Sequence, residues 1–192
     1  MKKTFLLMML FPSLIFAQDA LKAKVKKNEI TVNAFELVIG GVLPLSYERF
    51  IDNSQSITVK TFFFDKHYGE FNSGSDNLIS LQTQYNFYFS EKKQNAGLFF
   101  SPFVKFTNGK YSYISYEYYV DVNGNYISNN IKKTEDVKAL IVGFGLGYKL
   151  LLKEKLSLSL CTDIGRVLNE KGYYTQYGPI DARVGVNMGI RF

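Results

Sequence analysis

Hydrophobic and polar positions alternate with a period of two over most of this chain. The longest unbroken run closes the sequence. Ala182, Val184, Val186, Met188, Ile190 and Phe192 fall on one face, and Arg183, Gly185, Asn187, Gly189 and Arg191 on the other. Successive side chains of a strand point to opposite sides, so this run predicts a strand with one apolar and one polar face. Three further runs are nearly as clean. Ile79, Leu81, Thr83, Tyr85, Phe87 and Phe89 alternate with Ser80, Gln82, Gln84, Asn86 and Tyr88. Leu140 to Leu150 alternates with Ala139, Ile141, Gly143, Gly145, Gly147 and Lys149, and Leu156 to Ile164 with Ser157, Ser159, Cys161 and Asp163. Away from the N-terminus no helical period of useful length appears. In all, eight strands are predicted, at about 29–39, 42–51, 56–65, 78–89, 97–107, 137–151, 156–165 and 180–192. Each has roughly the length of a tilted membrane-crossing strand, ~9–11 residues.

The connections sort by length. If the chain starts in the periplasm, every second connection faces that side: Asp52–Gln55, Ser90–Ala96 and Leu152–Lys155, all short. The opposite set is Gly40–Gly41, Lys66–Asn77, Asn108–Asp136 and Arg166–Pro179, of which three are long. Short periplasmic turns against long outer loops are expected of outer-membrane barrels, and closure removes the exposed sheet edges that a bilayer does not tolerate. The expected fold is therefore all-β: an eight-stranded antiparallel up-and-down transmembrane β-barrel with short periplasmic turns and long outer loops. A secreted lipocalin-like barrel would use the same strand count with an apolar, ligand-holding interior. Glycines gathered on the less apolar face, and the absence of Trp where lipocalins carry a Gly-x-Trp, favour the membrane form.

Lys2 and Lys3, an apolar run from Phe5 to Phe16, and then Ala17-Gln18 describe a secretory signal peptide over residues 1–17. The run is too short for a membrane-spanning helix, which needs ~20 residues. Residues 18–28 read as a basic periplasmic leader and 29–192 as the barrel. The formal net charge of +6 is concentrated in these first segments, through Lys2, Lys3, Lys22, Lys24, Lys26 and Lys27. The remainder is close to neutral and lacks the basic stripe of a nucleic-acid-binding surface. Cys161 is the single cysteine and His67 the single histidine, which excludes an internal disulfide and a structural zinc site.

Leu45-Ser46-Tyr47-Glu48-Arg49-Phe50, following a Gly-Gly bend, resembles the Ser-Tyr-Glu-Arg strand of small outer-membrane barrels of Bacteroidota, a family of unknown function. A leader ending in Phe-Ala-Gln is common in that group, and the strand count with Phe192 is similar to OmpX and the OmpA barrel. The resemblance implies localisation in the outer membrane of a Gram-negative cell envelope. It also implies that Phe192, with Ile190 and Met188 on the apolar face of the last strand, is read by the barrel-assembly machinery.

By parity, Glu36, Glu48, Lys60, Lys105, Lys149, Asp163 and Arg183 point inward. Small barrels are filled by side chains, so a paired interior network is expected, with Arg183 beside Glu36 and Asp163, and Glu48 near Lys60. A narrow ion or proton path is the functional counterpart. Gly143, Gly145 and Gly147 lie on one strand face and give room to interior aromatics such as Phe62, Phe64, Phe99 and Phe103. His67 sits in a polar loop near Glu70, Ser73, Ser75 and Asp76, and is the one plausible base for a barrel enzyme acting on lipid A or peptides. The richest recognition surface is the third outer loop, with Tyr111, Tyr113, Tyr116, Tyr118, Tyr119 and Tyr126 around an Asn123-Gly124 turn, near Tyr173, Tyr174 and Tyr177. There strands five and six are expected to continue outward as a ribbon. The chain is thus expected to be a non-enzymatic monomer without cofactor or metal. Its expected partners are membrane lipid, the assembly machinery and an extracellular ligand of unknown class.

Overall fold

Alternating sequence becomes barrel wall when each strand has a partner on both sides. The computed structural model describes residues 27–63, 78–90, 94–120, 126–169 and 179–192. Its strands are β1 (Asn28–Asn33), β2 (Leu43–Phe50), β3 (Gln55–Phe63), β4 (Ile79–Tyr88), β5 (Gly97–Val120), β6 (Tyr126–Leu152), β7 (Leu156–Val167) and β8 (Ile180–Arg191). All are antiparallel to their sequence neighbours, and β1 pairs with β8 from Glu29–Arg191 to Asn33–Asn187, closing an eight-stranded all-β barrel. The expected signal peptide, residues 18–26 of the expected leader, His67 and its neighbours, Phe64, Asn123-Gly124, Tyr173, Tyr174 and Tyr177 lie outside the described residues, while Asn28, read as the end of the leader, opens β1.

The two faces of the wall differ in chemistry. Every strand turns apolar side chains outward, among them Ile30, Leu45, Val59, Leu81, Val104, Leu146, Leu160 and Val184. The bore holds the polar partners, including Gln82 and Lys105 at 0% exposure. Hydrophobic burial is therefore a minor part of the interior. Leu78, Phe103, Val137, Ala139, Ile141 and Val167 form an apolar layer at one end, and Tyr88, Phe99 and Cys161 a smaller cluster deeper in the bore. The inward glycines of β6 make room for this packing. A Cβ at Gly143 would meet Phe103 Cζ at 2.7 Å, and one at Gly147 would meet Phe99 Cε1 at the same distance. At Gly145 it would strike the Asp163 carboxylate instead.

Residues 51–54, 89–96 and 153–155 connect strands at the near end, where β1 begins. The far end carries residues 34–42 and the β5–β6 ribbon, which stays paired from Asn108–Lys138 to Val120–Tyr126. Strands five and six are thus far longer than the segments 97–107 and 137–151 read from alternation, through the outward ribbon that the loop sequence suggested.

The first strand needs a correction. It was expected to run to residue 39 and turn at Gly40–Gly41, but it stops at Asn33 and passes into a π-helical turn, Glu36–Gly40. Asn33 Oδ1 accepts the backbone N–H of Phe35 and Glu36 at 3.1 and 3.2 Å, which satisfies the first amides of a helix and ends the strand. Gly41 then takes the left-handed conformation, φ 62°, and its N–H returns to the Glu36 carbonyl. Leu37, Val38 and Ile39 extend the apolar run in sequence, yet they lie on the exposed side of this turn.

Candidate functional site

The barrel interior holds two charged clusters at different heights. In the near cluster, Lys149 of β6 reaches across the bore to Glu29 Oε1 (2.9 Å) on β1 and Glu48 Oε2 (2.5 Å) on β2. Arg191 of β8 donates to Glu29 Oε2 at 2.6 Å, and its two terminal nitrogens donate to the carbonyls of Gln94 and Asn95 at 2.8 Å. The turn before β5 is thereby tied under the mouth of the barrel. Ser157 donates to Glu29, while Tyr88, Ser56 and Asn86 donate to Glu48 Oε1 at 2.7, 2.5 and 3.2 Å. Both carboxylates are thus ion-paired and hydrogen-bonded, which is what makes buried charge tolerable. The cations also lie over aromatic faces: Arg191 is 4.4 Å from the Phe50 ring centre, and Lys149 is 5.5 Å from that of Tyr88.

The far cluster gathers Lys60 (β3), Lys105 (β5), Asp163 (β7), Asp181 and Arg183 (β8), and Glu36 from the helical turn. Lys60 pairs with Asp163 at 3.0 Å, and Gln82 donates to the same carboxylate oxygen at 3.1 Å. Lys105 pairs with Asp181 at 2.8 Å. Arg183 lies 3.5 Å from both Glu36 and Asp181 and stacks over Phe62, 4.8 Å from the ring centre. A chamber of about 10 Å³ remains beside Glu36, Lys60, Asp163 and Arg183, with Asn187 and Phe62 in its lining.

Six of the seven residues named by parity, Glu48, Lys60, Lys105, Lys149, Asp163 and Arg183, lie in the bore on the inward faces of their strands. Glu36 is buried there too, but its parity is opposite to that of the inward Glu29, Thr31 and Asn33 of β1, and the helical turn is what carries it in. The ion-pair partners differ from the expected ones in part. Glu48 takes its ion pair from Lys149 rather than Lys60. Asp163 faces Arg183 across the β7–β8 ladder yet takes its ion pair from Lys60. Glu29, Asp181 and Arg191 are not part of the expected network, yet they are buried in the bore, each with the inward parity of its strand. Parity gives a residue's face but not its height, and reach across a closed bore is invisible in linear sequence.

Met188, Ile190 and Phe192 are more than half exposed on the outward face of β8. Tyr111, Tyr113, Tyr116, Tyr118, Tyr119 and Tyr126 all fall on the β5–β6 ribbon, and the side chains of Tyr116 and Tyr118 are exposed. Among the described residues no three His, Cys, Asp or Glu side chains converge as metal ligands. No protein-family model, no curated protein and no solved structure matches the chain.

Proposed function

We propose that this chain is an outer-membrane β-barrel that crosses the bilayer with eight strands. On this reading it serves a structural or surface-interaction role through the ribbon and connections of its far end. One observation carries the proposal: apolar side chains are exposed on all eight strands while ionised ones are buried in the bore. A soluble monomer rarely exposes contiguous apolar patches beyond a few hundred Å², and a belt around a whole barrel needs hydrocarbon as its solvent. A lipocalin-like carrier requires the opposite arrangement. Outward aromatics at the near end support the same reading. Tyr47 Oη donates to Asn28 at 2.8 Å, Tyr85 Oη donates to Gln55, and Tyr148 is exposed nearby on β6. Such amphipathic rings are favoured at the lipid–water boundary.

In this scheme the barrel is a monomer with lipid around it, and the outward face of β8 with Met188, Ile190 and Phe192 is what the assembly machinery reads. Tyr116 and Tyr118 present aromatic surface to solvent on the ribbon, suited to a glycan or protein ligand. Membrane fractionation with protease treatment of intact cells tests the proposal. The expected result is an outer-membrane product cleaved only within the far-end segments. A soluble periplasmic product would overturn it.

A further inference from the structure

The outward wall at the far end is not the same all round. On β2, β3, β4 and β8 the outward residues nearest that end are apolar: Leu43, Phe63, Ile79 and Ile180. On β5, β6 and β7 the apolar belt is topped by cations instead. Phe106 and Leu140 face each other across the β5–β6 ladder, and the next outward pair is Asn108–Lys138. One outward step further Lys110 stands opposite Asp136, which makes Lys110 and Lys138 diagonal neighbours, ~7–8 Å apart. Arg166 of β7 has the same outward parity, opposite Val142 of β6 and between Ile164 and Leu168. It starts nearer the belt, where a long stem lies along apolar surface while the charged head stays in the polar layer.

Lys110, Lys132, Lys138 and Arg166 are all exposed, and none is held in an ion pair among the described residues. Asp136 is the one carboxylate among the described residues on this stretch of outward wall. The other face of the ribbon differs, for there Lys133 pairs with Glu117 at 3.3 Å. The outward face thus keeps its positive charge. The wall beneath it is held in place by Asn169, whose Oδ1 accepts the Leu140 N–H at 2.6 Å and whose Nδ2 donates to the Lys138 carbonyl at 3.2 Å. Beyond the cations the same parity continues to Ile114 opposite Lys132, Tyr116 opposite Asn130 and Tyr118 opposite Ser128. Tyr116 and Tyr118 are 58% and 71% exposed.

From belt to tip, one face therefore offers apolar surface, then cations, then exposed phenol rings with an amide beside them. That order matches an amphiphile with acyl chains, phosphate groups at the membrane surface and a saccharide above. Clustered Lys and Arg suit phosphate, and Tyr suits the apolar face of a sugar ring. We propose that this outward wall of β5–β7 binds a phosphorylated glycolipid of the outer leaflet. Lys110, Lys138 and Arg166 take the phosphates, and Tyr116 and Tyr118 pack against sugars further out. Lys110 and Tyr116 are separated along β5 by ~20 Å at 3.4 Å per residue, so only a ligand with an extended saccharide spans both. The proposal rests on the membrane reading above and gives its surface-interaction role a ligand class.

Native mass spectrometry of the full chain in detergent micelles tests this. Diphosphoryl lipid A should bind as one saturable adduct, its phosphate-free form should not, and phosphatidylglycerol should bind about tenfold more weakly or worse. K110Q/K138Q/R166Q should weaken lipid A binding by about tenfold or more, the worth of one charge-assisted hydrogen bond. The comparison of the three lipids on the unaltered chain stands even if that variant fails to fold. Y116A/Y118A should leave lipid A binding unchanged and weaken a lipooligosaccharide that carries inner-core sugars. Equal retention of the phosphate-free form or of phosphatidylglycerol, or full affinity in a folded triple variant, overturns the phosphate site. Unchanged lipooligosaccharide affinity in Y116A/Y118A overturns the sugar contact. A chain that fractionates with the outer membrane yet retains no lipid A overturns the site alone. A soluble periplasmic chain overturns the membrane reading and the site with it.

Discussion

The near and far clusters solve one problem, buried charge in a narrow bore, with different hardware. In the near cluster Glu29, Glu48, Lys149 and Arg191 all stand on laddered strands, and their ionic contacts measure 2.5–2.9 Å. In the far cluster one of the carboxylates, Glu36, stands on a helical turn, and Arg183 lies 3.5 Å from it. Rigid strands on both sides permit short, many-partnered ion pairs. Where β1 gives way to a turn, the Arg183–Glu36 contact is longer and a small chamber remains beside it. The near half is built to hold, and the far half has the feature of a site that can change.

The comparison breaks first at Lys149. Lys149→Met leaves Glu29 and Glu48 without their shared cation, and a stability loss of about 3–5 kcal/mol is expected in urea titrations followed by the heat-modifiable gel shift. A loss no larger than that of R183Q would erase the distinction between the halves. R183Q itself should cost about 2 kcal/mol, part of it regained in E36Q/R183Q, since Glu36 then no longer needs the cation. Equal midpoints for the single and double variants would remove the Arg183–Glu36 pairing. Gly147→Ala sharpens the near half. Its Cβ would meet Phe99 and, at 2.7 Å, the Leu160 carbonyl, so overpacking of about 1–3 kcal/mol is expected by the same titration. On the ribbon, Lys133 and Glu117 pair at 3.3 Å with both side chains about half exposed, and Lys133→Ala should shift the midpoint by less than ~1 kcal/mol.

Much of this barrel is legible as alternation, because the same parity that puts Leu146 outside puts Lys149 inside. The strand count and the inward placement of Glu48, Lys60, Lys105, Lys149, Asp163 and Arg183 depend on that one periodicity, whereas Glu36 is buried from a turn that interrupts it. Two things escape it. The run Leu37-Val38-Ile39 reads as strand by hydropathy, while the actual stop is Asn33, whose side chain caps a turn. Asn33 with Glu36 three positions later is a helix-start spacing that would have revealed it. The second is pairing across the bore. Lys149 finds Glu29 and Glu48 through barrel closure, long-range geometry on which no local pattern reports. Asp181 and Arg191, by contrast, were available from parity alone.

The chain contains no Trp, so a single introduced indole reports its surroundings without background. Leu146→Trp places that indole on the outward face of β6, and Tyr118→Trp places one on the ribbon. Fluorescence in bilayers of brominated-chain lipid tests the central claim, an apolar belt set in hydrocarbon around a charged bore. Strong quenching at position 146 with none at position 118 is the predicted result. An unquenched indole at 146, in a chain that remains soluble beside the vesicles, would contradict the account.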